Sequence, residues 1–142
     1  MQARLISQIT PAAPIIFRAT ETRIPAGFPS PAQDYAATTI DLNDLLFRDR
    51  AATYIFRVTG SSMIDAGIAD GDEIIVDRSL TPQQGSVVVA AIDGDYTIKR
   101  FHIDSSGNGW LMPENVDYPP IPIPSESNFT IFGVVTRSLH YV

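Results

Sequence analysis

The sequence predicts a mostly β domain of several small, twisted sheets, with one short helix and an extended N-terminal arm. Runs rich in β-branched and aromatic residues recur between residues 54 and 137, as expected for strands. The pair Asp93-Gly94 separates two of these runs and favours a two-residue hairpin, because both turn positions need positive φ. Residues 1–39 show little periodicity and several prolines, so we expect an arm at 1–39 and a β-rich domain at 40–142.

Each element follows from a local pattern. Residues 41–47 carry leucines at i, i+3 and i+4 after an acidic start, which predicts a short amphipathic helix. Within the arm, the run IIFR at 15–18 is typical of a strand. Gly133 is a candidate β-bulge in the last run. The predicted strands of the domain cover residues 54–58, 73–77, 86–92, 95–101, 110–112 and 129–137.

Composition limits the function classes. The chain has 142 residues, 44% of them hydrophobic and 18% charged, which is typical of one soluble globular domain. It has no cysteine, which excludes a disulfide-stapled secreted fold and thiolate chemistry, and favours the cytoplasm. No stretch approaches the roughly 20 apolar residues that span a membrane, and the N-terminus lacks the apolar run of a signal peptide. We therefore expect no membrane association.

The charge is distributed unevenly along the chain. The net charge is −6, and residues 1–26 contribute +2 to it, so the remaining 116 residues carry −8. Phosphate backbones repel a body of that sign. We expect partners to be proteins, with no direct DNA binding by the folded domain.

Two features of the domain point to hydrolytic chemistry: the run GSSM at 60–63 and Lys99, the only lysine of the chain. A serine hydroxyl is a poor nucleophile unless a base lies within hydrogen-bond reach. A neutral lysine is such a base, and burial in apolar surroundings lowers its pKa from about 10.4 by several units. Lys99 lies in the predicted strand 95–101, where such burial is plausible. On spacing alone, a turn serine and a surface lysine remain the alternative.

Other polar groups suggest less. A Ser-His-Asp triad that uses His102 is an alternative to the lysine, but neither His102 nor His140 lies in a recognisable triad context, and both are expected to be structural or exposed. Asp70, Asp72 and Asp77 lack the spacing and closing glutamate of an EF-hand, so a solvated turn is expected there. Two histidines without cysteine argue against structural zinc. No metal or cofactor is predicted.

A family resemblance adds to these observations. The run VTGSSMIDAGI at 58–68, followed by DGD at 70–72 and TIK at 97–99, resembles the self-cleaving serine peptidases of the LexA and UmuD type, and the UmuD family most. The similarity extends from about residue 27 to residue 135. In that family the serine before the methionine is the nucleophile and the lysine is its general base. The resemblance thus assigns these roles to Ser62 and Lys99.

The resemblance also implies a substrate. Such proteins cut themselves between a small residue and a glycine near the N-terminus, and here Ala26-Gly27 opens the run GFPSPA, which is similar to the segment after the UmuD cut. Residues 63–67 are too few for a full helix and are expected to form a single turn. A tight turn there would direct backbone N–H groups, including those of Ser61 and Ser62, into one small space, as an oxyanion hole requires. Ser61 replaces an aspartate of the UmuD pattern. Two adjacent serines are then candidate nucleophiles, and the methionine that follows Ser62 favours Ser62.

The same resemblance implies partners and a pathway. UmuD-like proteins form homodimers and cleave themselves in the SOS response to DNA damage, when a RecA filament on single-stranded DNA stimulates them. The trimmed form joins a Y-family (UmuC-like) polymerase for error-prone translesion synthesis. Two other functions stay open: a non-enzymatic, dimeric protein-binding module of the same fold, and a Ser-Lys peptidase that acts on other proteins. A self-cleaving repressor would need a helix-turn-helix before the cut, which 26 residues interrupted by prolines cannot supply.

Overall fold

The structure is a computed structural model that describes residues 1–8, 16–20, 37–123 and 129–142, with side chains described for 1–6, 41–123 and 129–142. The chain divides into two compact units, one made of Met1–Pro11 with Asp49–Val142 and the other of Ala12–Arg48. The predicted cleavage bond, Ala26–Gly27, lies outside the described residues.

Strands dominate both units, which confirms the prediction of a mostly β fold. The strands are β1 (Gln2–Gln8), β2 (Ile16–Thr20), β3 (Ala37–Asp41), β4 (Thr53–Thr59), β5 (Glu73–Asp77), β6 (Val87–Ile92), β7 (Asp95–Ile103), β8 (Gly109–Met112), β9 (Ile121–Pro122) and β10 (Phe129–Leu139), and the one α-helix of the described residues is α1 (Leu42–Leu46).

In the smaller unit, β2 and β3 form an antiparallel pair in which Ile16 is opposite Asp41. Asp41 also begins α1, because its carboxylate accepts a hydrogen bond of 3.0 Å from the backbone N–H of Asn43. This helix is the one predicted at 41–47, and β2 overlaps the strand predicted at 15–18.

In the larger unit, the described strands form one sheet in the order β1-β4-β5-β10-β6-β7-β8-β9. Because β1 pairs with both β4 and β7, six of the strands close into a barrel-like ring, and β8 and β9 extend it. Apolar side chains fill the interior: the core cluster includes Phe56, Met63, Ile74 and Ile98, each fully buried. β1 pairs with β4 along its length and with β7 at Gln2, where the ring closes.

One predicted hairpin turn and one predicted bulge are confirmed. Asp93 and Gly94 have φ angles of 50° and 86° and connect β6 to β7 as a tight hairpin. The register of β10 against β6 shifts between Ile131 and Gly133. A Cβ at Gly133 would lie 2.8 Å from Val76 Cγ1, so only glycine fits this bulge without a shift of the neighbouring strand.

The structure differs from the sequence-based expectations in two places. The run MQARLISQ was not predicted as a strand, yet it forms β1, because pairing with β4 and β7 compensates for weak local propensity. Asp72 and Asp77 were expected in a solvated turn and strand end, but they are 2% and 1% exposed. That expectation was wrong, because both side chains are buried: the Ala69 N–H donates to Asp72 Oδ2, and the Ser79 N–H donates to Asp77 Oδ1.

Candidate active site

Ser62 lies directly after β4, in a turn that begins at Gly60. Gly60 has a φ of 95°, a conformation that strains other residues, and its N–H donates a hydrogen bond of 2.8 Å to the Asp70 carboxylate. A short 3-10 turn at Ile64–Ala66 follows, and the N–H of Ile64 returns to the carbonyl of Ser61. Ser62 is fully buried in this turn, as is Met63, which packs in the core.

Lys99 reaches Ser62 from β7. Its Nζ lies 2.7 Å from Ser62 Oγ and 3.1 Å from the carbonyl oxygen of Ile98, and the residue is 4% exposed. Burial lowers the pKa of Lys99 below its ordinary value of 10.5, because the charged ammonium loses its hydration. The two oxygens that accept hydrogen bonds from Nζ belong to a hydroxyl and a backbone carbonyl. Neither carries a negative charge that would raise the pKa of Lys99 again.

A second amine, the α-amino group of Met1, contacts the same hydroxyl. Its nitrogen lies 2.5 Å from Ser62 Oγ, and the Met1 residue is 8% exposed. Burial, with the neighbouring Lys99 as a further cause, lowers the pKa of this α-amino group from 8.0 to about 5. The hydroxyl of Ser62 therefore lies between two amines, and burial lowers the pKa of each. Sequence reasoning missed the Met1 contact, which depends on the closure of the barrel.

A loop after β8 holds the turn that carries Ser62. The N–H of Glu114 donates to the carbonyl of Ser62 at 2.7 Å, and the carbonyl of Glu114 accepts from the N–H of Asp65 at 2.8 Å. Asn115 Nδ2 donates to the carbonyl of Ser61 at 2.8 Å. The Glu114 carboxylate pairs with Arg100, the neighbour of Lys99 on β7. The loop thus connects the strand of the lysine to the turn of the serine.

The two adjacent serines have different surroundings. Ser62 Oγ faces Lys99, whereas Ser61 is exposed and its Oγ lies 3.3 Å from the hydroxyl of Tyr118. The geometry therefore places the hydroxyl of Ser62, and not that of Ser61, within reach of a buried base. A neutral amine at this distance is able to accept the proton of a serine hydroxyl as it attacks a carbonyl.

The histidines lie elsewhere. His102 Nδ1 contacts Gln84 Nε2 at 2.6 Å, and His140 Nδ1 lies 2.5 Å from the carboxylate of Asp72. Neither contact involves Ser62. Among the described residues, no group of three or more His, Cys, Asp or Glu side chains could hold a metal ion. Within the same residues, no helix is long and apolar enough to cross a membrane.

Comparison with known proteins identifies the family. The sequence profile of the Peptidase S24-like family matches residues 14–136, which is most of the chain and includes both Ser62 and Lys99. The chain belongs to the Peptidase S24-like family. It is thus a serine peptidase in kind, and it shares the family of SOS-type self-cleaving proteins.

Its relatives within the Peptidase S24-like family are similar over comparable lengths. Protein MucA of Salmonella typhimurium is 48% identical over 118 residues, 82% of this chain and 80% of the relative. Protein SamA of Salmonella typhimurium (strain LT2) is 43% identical over 118 residues, 83% of this chain and 81% of the relative. The LexA repressor of Acidithiobacillus ferrooxidans is 42% identical over 120 residues, which cover 82% of this chain but 58% of the repressor. These relatives agree with the UmuD-like resemblance.

Proposed function

We propose that this chain cleaves its own Ala26–Gly27 bond, with Ser62 as nucleophile and Lys99 as general base. One observation carries the proposal: the only lysine of the chain is buried, and its Nζ lies 2.7 Å from the hydroxyl of a buried serine. A structural pair would gain little from this arrangement, since a buried amine without a countercharge destabilises the fold. Membership of the Peptidase S24-like family supports the same chemistry.

The proposed reaction has two steps. Neutral Lys99 accepts the proton of Ser62 as Oγ attacks the carbonyl carbon of Ala26, and backbone N–H groups of Ser61 and Ser62 stabilise the oxyanion. The peptide bond breaks when the nitrogen of Gly27 takes the proton from Lys99. Water, deprotonated by Lys99, then hydrolyses the acyl-enzyme and frees the Ser62 hydroxyl. Substrate and enzyme are one chain, so a single turnover is sufficient.

The family also suggests the setting of this reaction. We infer that the protein acts as a homodimer in the cytoplasm and that a RecA filament on single-stranded DNA stimulates the cut. The form that begins at Gly27 would then serve a Y-family (UmuC-like) polymerase in translesion synthesis during the SOS response. The UmuD-like relatives support this role, and the acidic body, −8 outside residues 1–26, agrees with protein rather than DNA partners.

The test is the intact mass of the purified chain after incubation at a pH of about 10, where a lysine begins to lose its proton unaided. We expect fragments that correspond to residues 1–26 and 27–142. Ser62→Ala and Lys99→Ala are expected to stay whole, whereas Ser61→Ala is expected to be cut because its hydroxyl faces Tyr118. If the wild type stays whole even with RecA filaments, the catalytic assignment is wrong and the protein is a binding module.

A further inference from the structure

The strand β1 occupies a groove that ends at the Ser62 hydroxyl. It runs antiparallel to β4, with Gln2 opposite Thr59 and Ala3 opposite Val58, and Gln2 is also opposite Thr97 on β7. The carbonyl of Met1 accepts hydrogen bonds from the Ile98 N–H at 3.0 Å and from Thr97 Oγ1 at 2.9 Å. The Met1 side chain belongs to the core cluster. The groove therefore binds the first residues through both backbone and side chain.

The position of the α-amino group resembles that of a reaction product. When a serine attacks a peptide carbonyl, the nitrogen that leaves lies beside Oγ, and the rest of the released segment extends away from it. In this structure the Met1 nitrogen lies 2.5 Å from Ser62 Oγ, and β1 leads away from it along β4. The first residues thus occupy the place of the segment on the amine side of a cut bond.

We propose that the groove between β4 and β7 is a binding site for an extended peptide segment, and that β1 fills it and excludes the cleavage segment from Ser62. This inference rests on the proposed function, because it assigns the place that residues 27–32 take during self-cleavage. β1 is then an intramolecular competitor of the substrate, and it must leave the groove before Ala26 reaches Ser62.

The chemistry of the two segments favours β1. With Gly27 at the place of Met1, the groove would lose the apolar side chain that Met1 buries in the core cluster. Pro29 would take the place of Ala3. The antiparallel Gln2–Thr97 pair directs the N–H of Ala3 at β7, and proline has no N–H to donate there. The substrate segment therefore binds this groove more weakly than β1 does, and the competition slows the cut.

A reversible disulfide tests the competition in the full chain. Arg4 and Arg57 are exposed register partners on β1 and β4, and the chain has no cysteine, so Arg4→Cys with Arg57→Cys allows a single disulfide. Arg57 forms only an exposed ion pair with Glu73, whose loss has little effect. Cutting is followed by intact mass, after a quench and reduction that release residues 1–26 from the linked product. Arg4→Cys alone is the control.

We expect the oxidised double variant to be cut at less than one-tenth of the rate of its reduced form. Equal rates in the two forms, with the disulfide verified by mass, would overturn the competition and leave the proposed function intact. A wild type that is never cut would overturn the proposed function, and the competition would fall with it.

A second variant tests the same competition without cysteines, in case the cysteine substitutions themselves slow the cut. Ala3 packs against the core cluster, so Ala3→Glu is expected to loosen β1 and speed the cut several-fold. Ala51→Glu makes the same change at an exposed position outside β1 and the two strands that pair with it, and is expected to leave the rate unchanged. Equal rates for Ala3→Glu and the wild type would also overturn the competition.

Discussion

Two buried polar clusters of the same barrel differ in how their charge is compensated. The Ser62 cluster holds the amines of Lys99 and Met1, which among the described residues donate hydrogen bonds to neutral oxygens only. The second cluster centres on the carboxylate of Asp72, which accepts hydrogen bonds from the Ala69 N–H at 2.9 Å, from the Ser138 hydroxyl at 3.1 Å and from His140.

The pKa values of the two clusters show the consequence. Burial lowers the pKa of Lys99, which favours the neutral amine. Burial alone would raise the pKa of Asp72, but its hydrogen bonds from Ala69, His140 and Ser138 outweigh burial and lower the pKa below 3.8. The charged form is therefore favoured at Asp72 and disfavoured at Lys99. The Asp72 cluster stabilises the fold, whereas the Lys99 cluster costs stability and keeps an amine beside the Ser62 hydroxyl.

The largest expected effect is that of Lys99→Met. Self-cleavage should fall by about 10⁴-fold or more, since a dyad without its base is nearly inactive. The free energy of unfolding should rise by about 1 kcal/mol or more, because an apolar side chain of similar length replaces a buried amine. The melting temperature should rise with it. Rates from intact mass and melting curves at pH about 7 measure both. A variant that is both inactive and clearly less stable would contradict the view that the amine is kept for chemistry.

The second prediction concerns pH. The cut should speed up about tenfold per pH unit while Lys99 is protonated, and level off at a pH below the ordinary lysine value of 10.5. The unfolded chain binds this proton more tightly than the folded chain does, so the free energy of unfolding should rise with pH between the lowered pKa of Lys99 and 10.5, where the rate has levelled off. The Asp72 carboxylate keeps its charge until the pH falls below 3.8 and contributes no change there. A rate that still rises tenfold per pH unit up to 10.5 would contradict the lowered pKa.

Asp72→Asn should act on stability instead of rate. The NH₂ group of the asparagine would face one of the groups that now donate a hydrogen bond to the carboxylate, so one hydrogen bond is lost. We expect the loss to cost about 2 kcal/mol in the free energy of unfolding, or about 30-fold in the folding equilibrium. Urea unfolding measures the loss. Asp95→Asn, an exposed change of the same kind on β7, is the matched control and should have little effect. Equal losses at the two positions would show that the cluster contributes nothing specific.

The smallest effect is expected in the loop that supports the Ser62 turn. Asn115→Ala removes the 2.8 Å hydrogen bond to the carbonyl of Ser61, so the turn should position Ser62 less well and the cut should slow by about tenfold. Val116→Ala, at a fully solvent-facing position of the same loop, should leave the rate unchanged. The melting temperatures of both variants should match the wild type within a few degrees. If Asn115→Ala both slows the cut and clearly lowers the melting temperature, the slower rate reflects lost stability, which would contradict a positioning role of Asn115.

Much of the fold was predictable from local sequence. The hairpin at Asp93-Gly94, the bulge at Gly133 and the helix that begins after Asp41 each follow from a backbone preference of a few residues. Strand β1 was missed because its half-polar run has weak propensity and forms by pairing on both sides. The burial of Asp72 was missed because its partners Ser138 and His140 are far away in sequence.

The sequence by itself determined the chemical inventory: one lysine, two adjacent serines before a methionine, and a small-residue pair at Ala26-Gly27. Only the tertiary structure decided which serine hydroxyl faces Lys99, that the lysine loses its hydration, and that the α-amino group of Met1 lies at the same hydroxyl. The physical reason is that local patterns reflect backbone preferences, whereas burial and contacts between distant residues arise when the barrel closes.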